Sequence, residues 1–283
     1  MADQNMQGKV CLVTGANGGI GLATARELAR QGAHVVMVCR NRAKGEAAQA
    51  EIKSVSGNQQ VDLLIADISS LASVRQLAQE VRERYPHIHV LINNAGGMFN
   101  QRVETADGLE TTWALNYIGP VLLTNSLLDI LKASAPARII NVSSTAHRFG
   151  RIDFDDLQSK QRYRGMRAYG SAKLALILYT YELASQLEGS GVTANCLHPG
   201  VVATNFFQLG LLNWLGRLVF LTPEQGAQTT LYLATSPEVA QVNGKYFTKS
   251  KAVSSTKDTY DEATRKRLWQ STETLLSEQP AEV

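Results

Sequence analysis

Short apolar, β-branched runs alternate along the chain with longer stretches in which apolar positions recur every three to four residues. The runs predict seven strands, at Val10–Val13, His34–Cys39, Val61–Ile65, Val90–Ile92, Arg138–Val142, Thr193–Leu197 and Gly244–Phe247. The helical period predicts helices over Gly19–Gln31, Arg42–Val55, Ser69–Tyr85, Leu109–Lys132, Tyr169–Leu187 and Pro223–Ala234, and a polar C-terminal helix over Asp258–Leu276. Gly32 stops the first, Pro86 stops the third, which Ser69 or Ser70 can cap, and Pro120 can bend or interrupt the fourth. Continuously apolar strands separated by helices imply a parallel sheet covered on both faces. Right-handed crossovers then give a seven-stranded, doubly wound α/β sheet flanked by helices. No linker or repeat divides it, so one domain is expected over 1–283, with a core at about 8–250 and a helical extension over 251–283.

Composition narrows the function classes. The 283 residues are 44% hydrophobic and 19% charged, which excludes a disordered chain. The net charge of +3 and the absence of a basic run longer than Arg265-Lys266-Arg267 argue against a nucleic-acid partner. No stretch is apolar for long enough to be a signal peptide or an integral membrane segment. Cys11, Cys39 and Cys196 cannot form a disulfide framework and read as small buried residues in a reducing compartment, so a cytoplasmic location is expected.

Thr14-Gly15-Ala16-Asn17-Gly18-Gly19-Ile20-Gly21 follows the first strand and opens a helix. Glycines let a backbone approach a pyrophosphate, and the helix N-terminus supplies N–H donors and positive dipole. A glycine cluster by itself can be a mere tight turn; the strand–turn–helix context makes a dinucleotide site. After the second strand, where an acidic side chain would select NAD by accepting from the ribose 2′-OH, stand Arg40-Asn41-Arg42. A guanidinium there can bind a 2′-phosphate, so NADP(H) is expected to be preferred with NAD(H) still usable, unless Arg40 is only a solvated surface residue. Asp67, ending the third strand, can accept from an adenine amino group or cap a helix.

Further motifs line up in order. These are Asn93-Asn94-Ala95-Gly96 after the fourth strand, Asn116 within a helix, Ser143-Ser144 after the fifth strand, Tyr169-Gly170-Ser171-Ala172-Lys173, and Pro199-Gly200 with Thr204 beyond. Together with the glycine-rich turn they closely resemble the short-chain dehydrogenase/reductase family over about residues 8–250. Cys39-Arg40-Asn41, His147, Arg151 to Leu157, His198-Pro199-Gly200-Val201-Val202 and Gly244-Lys245-Tyr246-Phe247 are similar to its retinol dehydrogenase-like branch. The resemblance implies a Rossmann-type fold and a catalytic tetrad of Asn116, Ser144, Tyr169 and Lys173, with Ser143 the fallback serine. It also implies cofactor contacts from Gly15, Asn17, Gly19, Ile20, Gly21, Arg40, Asn41, Asp67, Ile68, Asn94, Ala95, Gly96, Tyr169, Lys173, Pro199, Gly200, Val202 and Thr204. No metal is implied. A homodimer or homotetramer built on helix pairs is expected of such a protein.

The chemistry also follows from the side chains. When a hydride passes between a nicotinamide and a carbonyl carbon, a proton must reach or leave the oxygen. Tyr169 can carry it, but free tyrosine titrates near 10 and is a poor base at neutral pH. Lys173 lies one helical turn away on the same face, and its positive charge favours the phenolate. Ser144 can hydrogen-bond the substrate oxygen. Asn116 would hold a water joining Lys173 to solvent. Taken singly, each residue could be structural, and a nucleotide-binding regulator or scaffold on the same fold is the alternative to an enzyme. Residues 205–221, rich in Leu, Phe and Trp, read as a cover over a lipophilic aldehyde, ketone or alcohol. The same segment could instead be an amphipathic helix on the core or a shallow membrane contact. The 24 residues 145–168, of mixed charge, read as an insertion at the pocket mouth.

Overall fold

The computed structural model describes residues 6–201 and 221–278. Among these, β1 (Val10–Thr14), β2 (His34–Cys39), β3 (Val61–Ile65), β4 (Val90–Asn93), β5 (Ala137–Val142), β6 (Val192–His198) and β7 (Tyr246–Thr248) form a parallel sheet. The order is β3-β2-β1-β4-β5-β6-β7, and an eighth strand, β8 (Lys251–Val253), closes the edge antiparallel to β7. The expected count of seven is therefore corrected to eight. All three residues of β8 are exposed, so burial imprinted no apolar period on it.

The helices are α1 (Gly19–Arg30), α2 (Arg42–Ser56), α3 (Leu71–Arg84), α4 (Thr111–Trp113), α5 (Gly119–Ser126), α6 (Leu128–Ala133), α7 (Gly165–Gln186), α8 (Pro223–Thr235) and α9 (Glu262–Glu278). They cover both faces, as the apolar strands require. In β1 the side chains alternate: Leu12 enters a core with Val74, Tyr117, Leu123 and Leu178, while Cys11 and Val13 enter another with Leu28, Ile52 and Leu233. All three cysteines are free and buried. Burial raises the thiols of Cys11 and Cys39 to about 12 and about 11, so neither is a thiolate at neutral pH.

The single helix expected over Leu109–Lys132 is four pieces. A π-helical turn, Ala114–Ile118, joins α4 to α5, and Leu127 separates α5 from α6. Pro120 has no N–H to return to the carbonyl of Asn116 four residues back, and the wider turn before it takes up that misfit. Helix α7 begins four residues earlier than expected, so Tyr169 and Lys173 lie within it rather than at its start. The expected C-terminal helix is a 3₁₀ turn, Lys257–Tyr260, followed by α9. Helix α9 packs on α7, where Trp269 stacks on Tyr179 at 5.3 Å. A buried polar chain crosses the centre: Asn93 Nδ2 donates to Asn141 Oδ1 (2.8 Å) and Thr124 Oγ1 (2.9 Å), and Asn141 Nδ2 donates to Thr180 Oγ1 (2.9 Å). It pins α5 and α7 to the sheet. The strand order reverses between β1 and β4, which opens a crevice at the carboxyl ends of the strands.

Candidate active site

A cleft of about 1200 Å³ occupies that crevice, above the ~300–1,000 Å³ of a typical small-ligand pocket. Three stations can be followed along it. At the first, the turn after β1 meets α1. Gly18 precedes the helix without a side-chain cap, and no acidic residue stands in its first turn, so its N–H groups face the cleft with nothing to repel an anion. A Cβ on Gly21 would lie 2.3 Å from the Gly15 carbonyl oxygen, so only glycine lets the helix start this close to the strand. Thr14 Oγ1 accepts from the N–H groups of Asn94 and Ala95, both at 2.9 Å, and Asn94 Nδ2 donates to the Thr14 carbonyl at 2.8 Å. These bonds hold the ends of β1 and β4 together as the cleft floor. The cradle fits the diphosphate of a dinucleotide.

At the second station Arg40 lies 3.6 Å from Asp67, and the arginine is 72% exposed. Asp67 Oδ1 also accepts from the N–H and hydroxyl of Ser69 (2.9 and 2.6 Å), while Ser70 caps α3. Asn41 is turned to α2, where its Oδ1 accepts from Lys44 N–H at 2.9 Å, and it does not line the cleft.

The third station separates the two serines. Ser143 also lines the cleft, but its Oγ donates to the Lys173 carbonyl (2.9 Å), so its proton is spent as a strand–helix clamp. Ser144 caps the 3₁₀ turn Thr145–Phe149, its Oγ accepts from Ala146 N–H (3.2 Å), and it is hydrogen-bonded to the Tyr169 side chain. Gly170 makes this possible, because a Cβ there would meet the Ala146 carbonyl oxygen at 2.6 Å. With glycine, the turn carrying Ser144 rests directly on α7 beside Tyr169. Burial pushes the Tyr169 phenol well above the ordinary tyrosine range, against the opposing hydrogen bond from Ser144. Burial also pushes Lys173 down to about 7. Its ammonium nitrogen donates to the Val142 carbonyl (2.8 Å) and sits 5.6 Å from the Tyr169 ring centre.

The model of the short chain dehydrogenases matches residues 9–209. The chain belongs to that family. It is 43% identical to human retinol dehydrogenase 14, over 96% of this chain and 87% of the relative. It is 45% identical to mouse retinol dehydrogenase 12, over 93% and 84%. Among solved structures, an uncharacterised protein of Mycobacterium paratuberculosis superposes with a TM-score of 0.80 at 33% identity, covering 96% of this chain and 95% of that one. The Pseudomonas aeruginosa RhlG/NADP active-site complex does so with a TM-score of 0.71 at 26% identity, covering 87% and 96%. As a short-chain dehydrogenase this protein is an oxidoreductase, and the family binds NAD(P) and acts on small molecules. Among the described residues no helix is long and apolar enough to cross a membrane, and no group of His, Cys, Asp and Glu could hold a metal.

In this short-chain dehydrogenase the cleft brings together Gly15, Asn17, Gly19, Ile20, Gly21, Arg40, Asp67, Ile68, Asn94, Ala95, Gly96, Ser144, Tyr169, Lys173, Pro199 and Gly200. Asn116 stands behind the wall. Its Nδ2 donates to the carbonyls of Gly97 (2.7 Å) and Thr112 (2.8 Å), and its Oδ1 accepts from Gly97 N–H (3.2 Å). The side chain is therefore a brace for the cleft wall. Val202, Thr204 and almost all of the 205–221 cover lie outside the described residues. Sequence reasoning passed over Phe149, Met166 and Val103 at the mouth, and His198, whose imidazole burial lowers to about 4. The signal for the apolar ones was faint, because isolated hydrophobic residues inside charged segments follow no period.

Proposed function

We propose that the enzyme interconverts a lipophilic aldehyde or ketone and its alcohol with NADP(H), Tyr169 acting as general acid and base. The observation that carries this reading is the hydrogen-bonded Ser144–Tyr169 pair, with Lys173 behind it, at the catalytic end of a dinucleotide-sized cleft. Bound there, a nicotinamide would supply or take up the hydride. Ser144 Oγ accepts from Ala146 N–H, and the one proton it gives to Tyr169 would turn to the substrate oxygen when substrate binds. Tyr169, kept neutral by burial, has the proton that a nascent alkoxide needs. In the oxidative direction the phenol must give up that proton, and protonated Lys173 favours the phenolate.

Seven large hydrophobic residues are exposed among those described, and four of them, Val103 (51%), Phe149 (72%), Met166 (45%) and Val201 (48%), line this one cleft. Apolar exposure gathered at a catalytic mouth supports a lipophilic substrate. The retinol dehydrogenases similar to this chain agree in kind. Across aldehydes of increasing length, kcat/KM is expected to rise about fourfold per methylene until the pocket is full, from ~0.8 kcal/mol per buried CH₂. Phe149→Ser is expected to flatten that slope. A flat series in the unmodified enzyme would exclude an apolar acyl pocket.

NADP(H) preference rests on Arg40. Its pair with Asp67 is exposed and worth at most about 1 kcal/mol, so a dianionic 2′-phosphate can displace it. A preference of about tenfold to a few hundredfold is expected, each tenfold being about 1.4 kcal/mol. Arg40→Asp removes the phosphate partner and adds an acceptor for the 2′-OH, and it is expected to invert the NADPH/NADH ratio of kcat/KM. A ratio at or below one in the unmodified enzyme, unmoved by the substitution, would show that the 2′ position is read by other residues.

A further inference from the structure

His147 is fully buried directly behind Ser144. Its Nδ1 lies 2.6 Å from the Ser144 carbonyl oxygen, which can only accept, so Nδ1 carries the proton. Thr256 N–H donates to Nε2 at 3.2 Å, so that nitrogen is bare. Two partners of opposite character thus define one neutral tautomer, and the ring packs edge-on against Tyr246 at 5.2 Å. The Ser144 carbonyl also accepts from the His147 backbone N–H (3.1 Å), so a single oxygen is held twice. On the far side, Ser255 Oγ meets Tyr181 OH at 2.8 Å and Thr259 Oγ1 at 2.6 Å, and Thr259 Oγ1 donates to the Thr256 carbonyl (2.6 Å). Tyr181 belongs to α7, the helix of Tyr169 and Lys173. A closed circuit results, from α7 through Tyr181, Ser255, Thr256 and His147 to Ser144, and back to α7 at Tyr169.

We propose that His147 is a positioning residue, which fixes the Ser144 turn from behind and couples it to the C-terminal segment 255–260. This role rests on Ser144 being the hydrogen-bond donor to the substrate oxygen. His147 itself faces away from the reacting atoms, because both ring nitrogens are spent on Ser144 and Thr256. Burial holds its pKa below the ordinary histidine value, which keeps the imidazole neutral as the two bonds require. A merely space-filling histidine could be exchanged for phenylalanine beside Tyr246. A positioning one could not, because the Ser144 turn would lose the donor that holds its carbonyl.

The substitutions that separate these readings are His147→Phe, His147→Asn and Thr259→Val. Asparagine places an amide N–H where Nδ1 stands but does not reach Thr256. Thr259→Val keeps the size and branching of the side chain and removes the hydroxyl that meets Ser255 Oγ and donates to the Thr256 carbonyl, so it loosens Thr256 behind Nε2 without touching His147. With a medium-chain aldehyde and NADPH, His147→Phe is expected to lower kcat by up to about 100-fold, the scale of an ångström's misplacement. The KM for aldehyde and the Kd for NADPH, read from fluorescence quenching, should stay within a few-fold. His147→Asn should restore kcat to within several-fold of the unmodified enzyme. Thr259→Val should lower kcat several-fold by itself and have no further effect in the His147→Asn background. An unchanged kcat in His147→Phe or in Thr259→Val, or equal losses in His147→Phe and His147→Asn, would overturn the proposal. Should His147→Phe fail to fold, Thr259→Val alone and combined with His147→Asn decides it. Ser144→Ala is the control: full activity there would remove Ser144 from catalysis and leave no serine role for His147 to serve.

Discussion

Tyr169→Phe is expected to lower kcat by about 10³-fold while NADPH binding stays within a few-fold. The expectation follows from what the substitution removes. The ring remains buried beside Ser144 and Lys173, so packing is kept, but the phenol placed at the third station is gone. Proton transfer by a positioned side chain is worth ~10²–10⁴ in rate. The measurement is steady-state turnover together with NADPH affinity by fluorescence. Turnover near that of the unmodified enzyme would show that the proton comes from elsewhere, and the whole assignment of the third station would fall with it.

Lys173→Met is expected to do two opposite things. Turnover should fall by at least ~10²-fold, because the cation that favours the phenolate is lost. The cofactor-free protein should meanwhile become more stable at mildly acid pH. The sign follows from linkage. Burial holds Lys173 near 7 in the folded protein, against 10.5 when unfolded, so the unfolded chain binds more protons between these values. Below pH 7 the folded state therefore carries the full penalty of a buried ammonium, on the order of 5 kcal/mol. The penalty is relieved as pH rises from about 7 towards 10.5. Methionine removes the penalty and also the hydrogen bond to the Val142 carbonyl, leaving a net gain of about 2 kcal/mol at pH 6. That corresponds to a Tm rise of roughly 5 °C for a chain of this size. The gain should shrink between pH 7 and pH 10. A Lys173→Met protein less stable at pH 6, or with a Tm difference independent of pH, would show that the ammonium is solvated.

Most of the fold was legible because each face of the sheet is buried under helices. Burial on both faces makes a strand such as Val35-Val36-Met37-Val38-Cys39 apolar throughout, and that run is visible without coordinates. The glycine-rich turn, Tyr169 and Lys173 were legible for a different reason. Close backbone approach and one-turn spacing on a helix are local constraints, so they leave a local pattern. The broken helix around Asn116 was only half legible: Pro120 announced a disturbance, but whether the chain would kink, stop or widen into a π turn depends on what packs around it.

Side-chain roles that depend on distant partners left no such trace. Ser143 and Ser144 are adjacent and identical in type. Both line the cleft, but the first is a clamp because the Lys173 carbonyl lies 2.9 Å from its hydroxyl, while Tyr169 and the Ala146 N–H face the second. Asn41, next to Arg40 and equally eligible by position, was taken by the start of α2. His147 acquired its tautomer from Thr256, 109 residues away in sequence. By itself, then, the amino-acid sequence determined the layered α/β architecture, the dinucleotide turn, the family and the identity of the Tyr169–Lys173 pair, since all of these rest on periodicity, glycine placement and near-neighbour spacing. Only the tertiary structure decided which serine stands beside Tyr169, that Asn116 braces a wall, that Arg40 opens to solvent against Asp67, and that the C-terminal segment reaches the back of the Ser144 turn. Hydrogen-bond partners and burial at these places are set by segments remote in the chain, and no local pattern of residues encodes them.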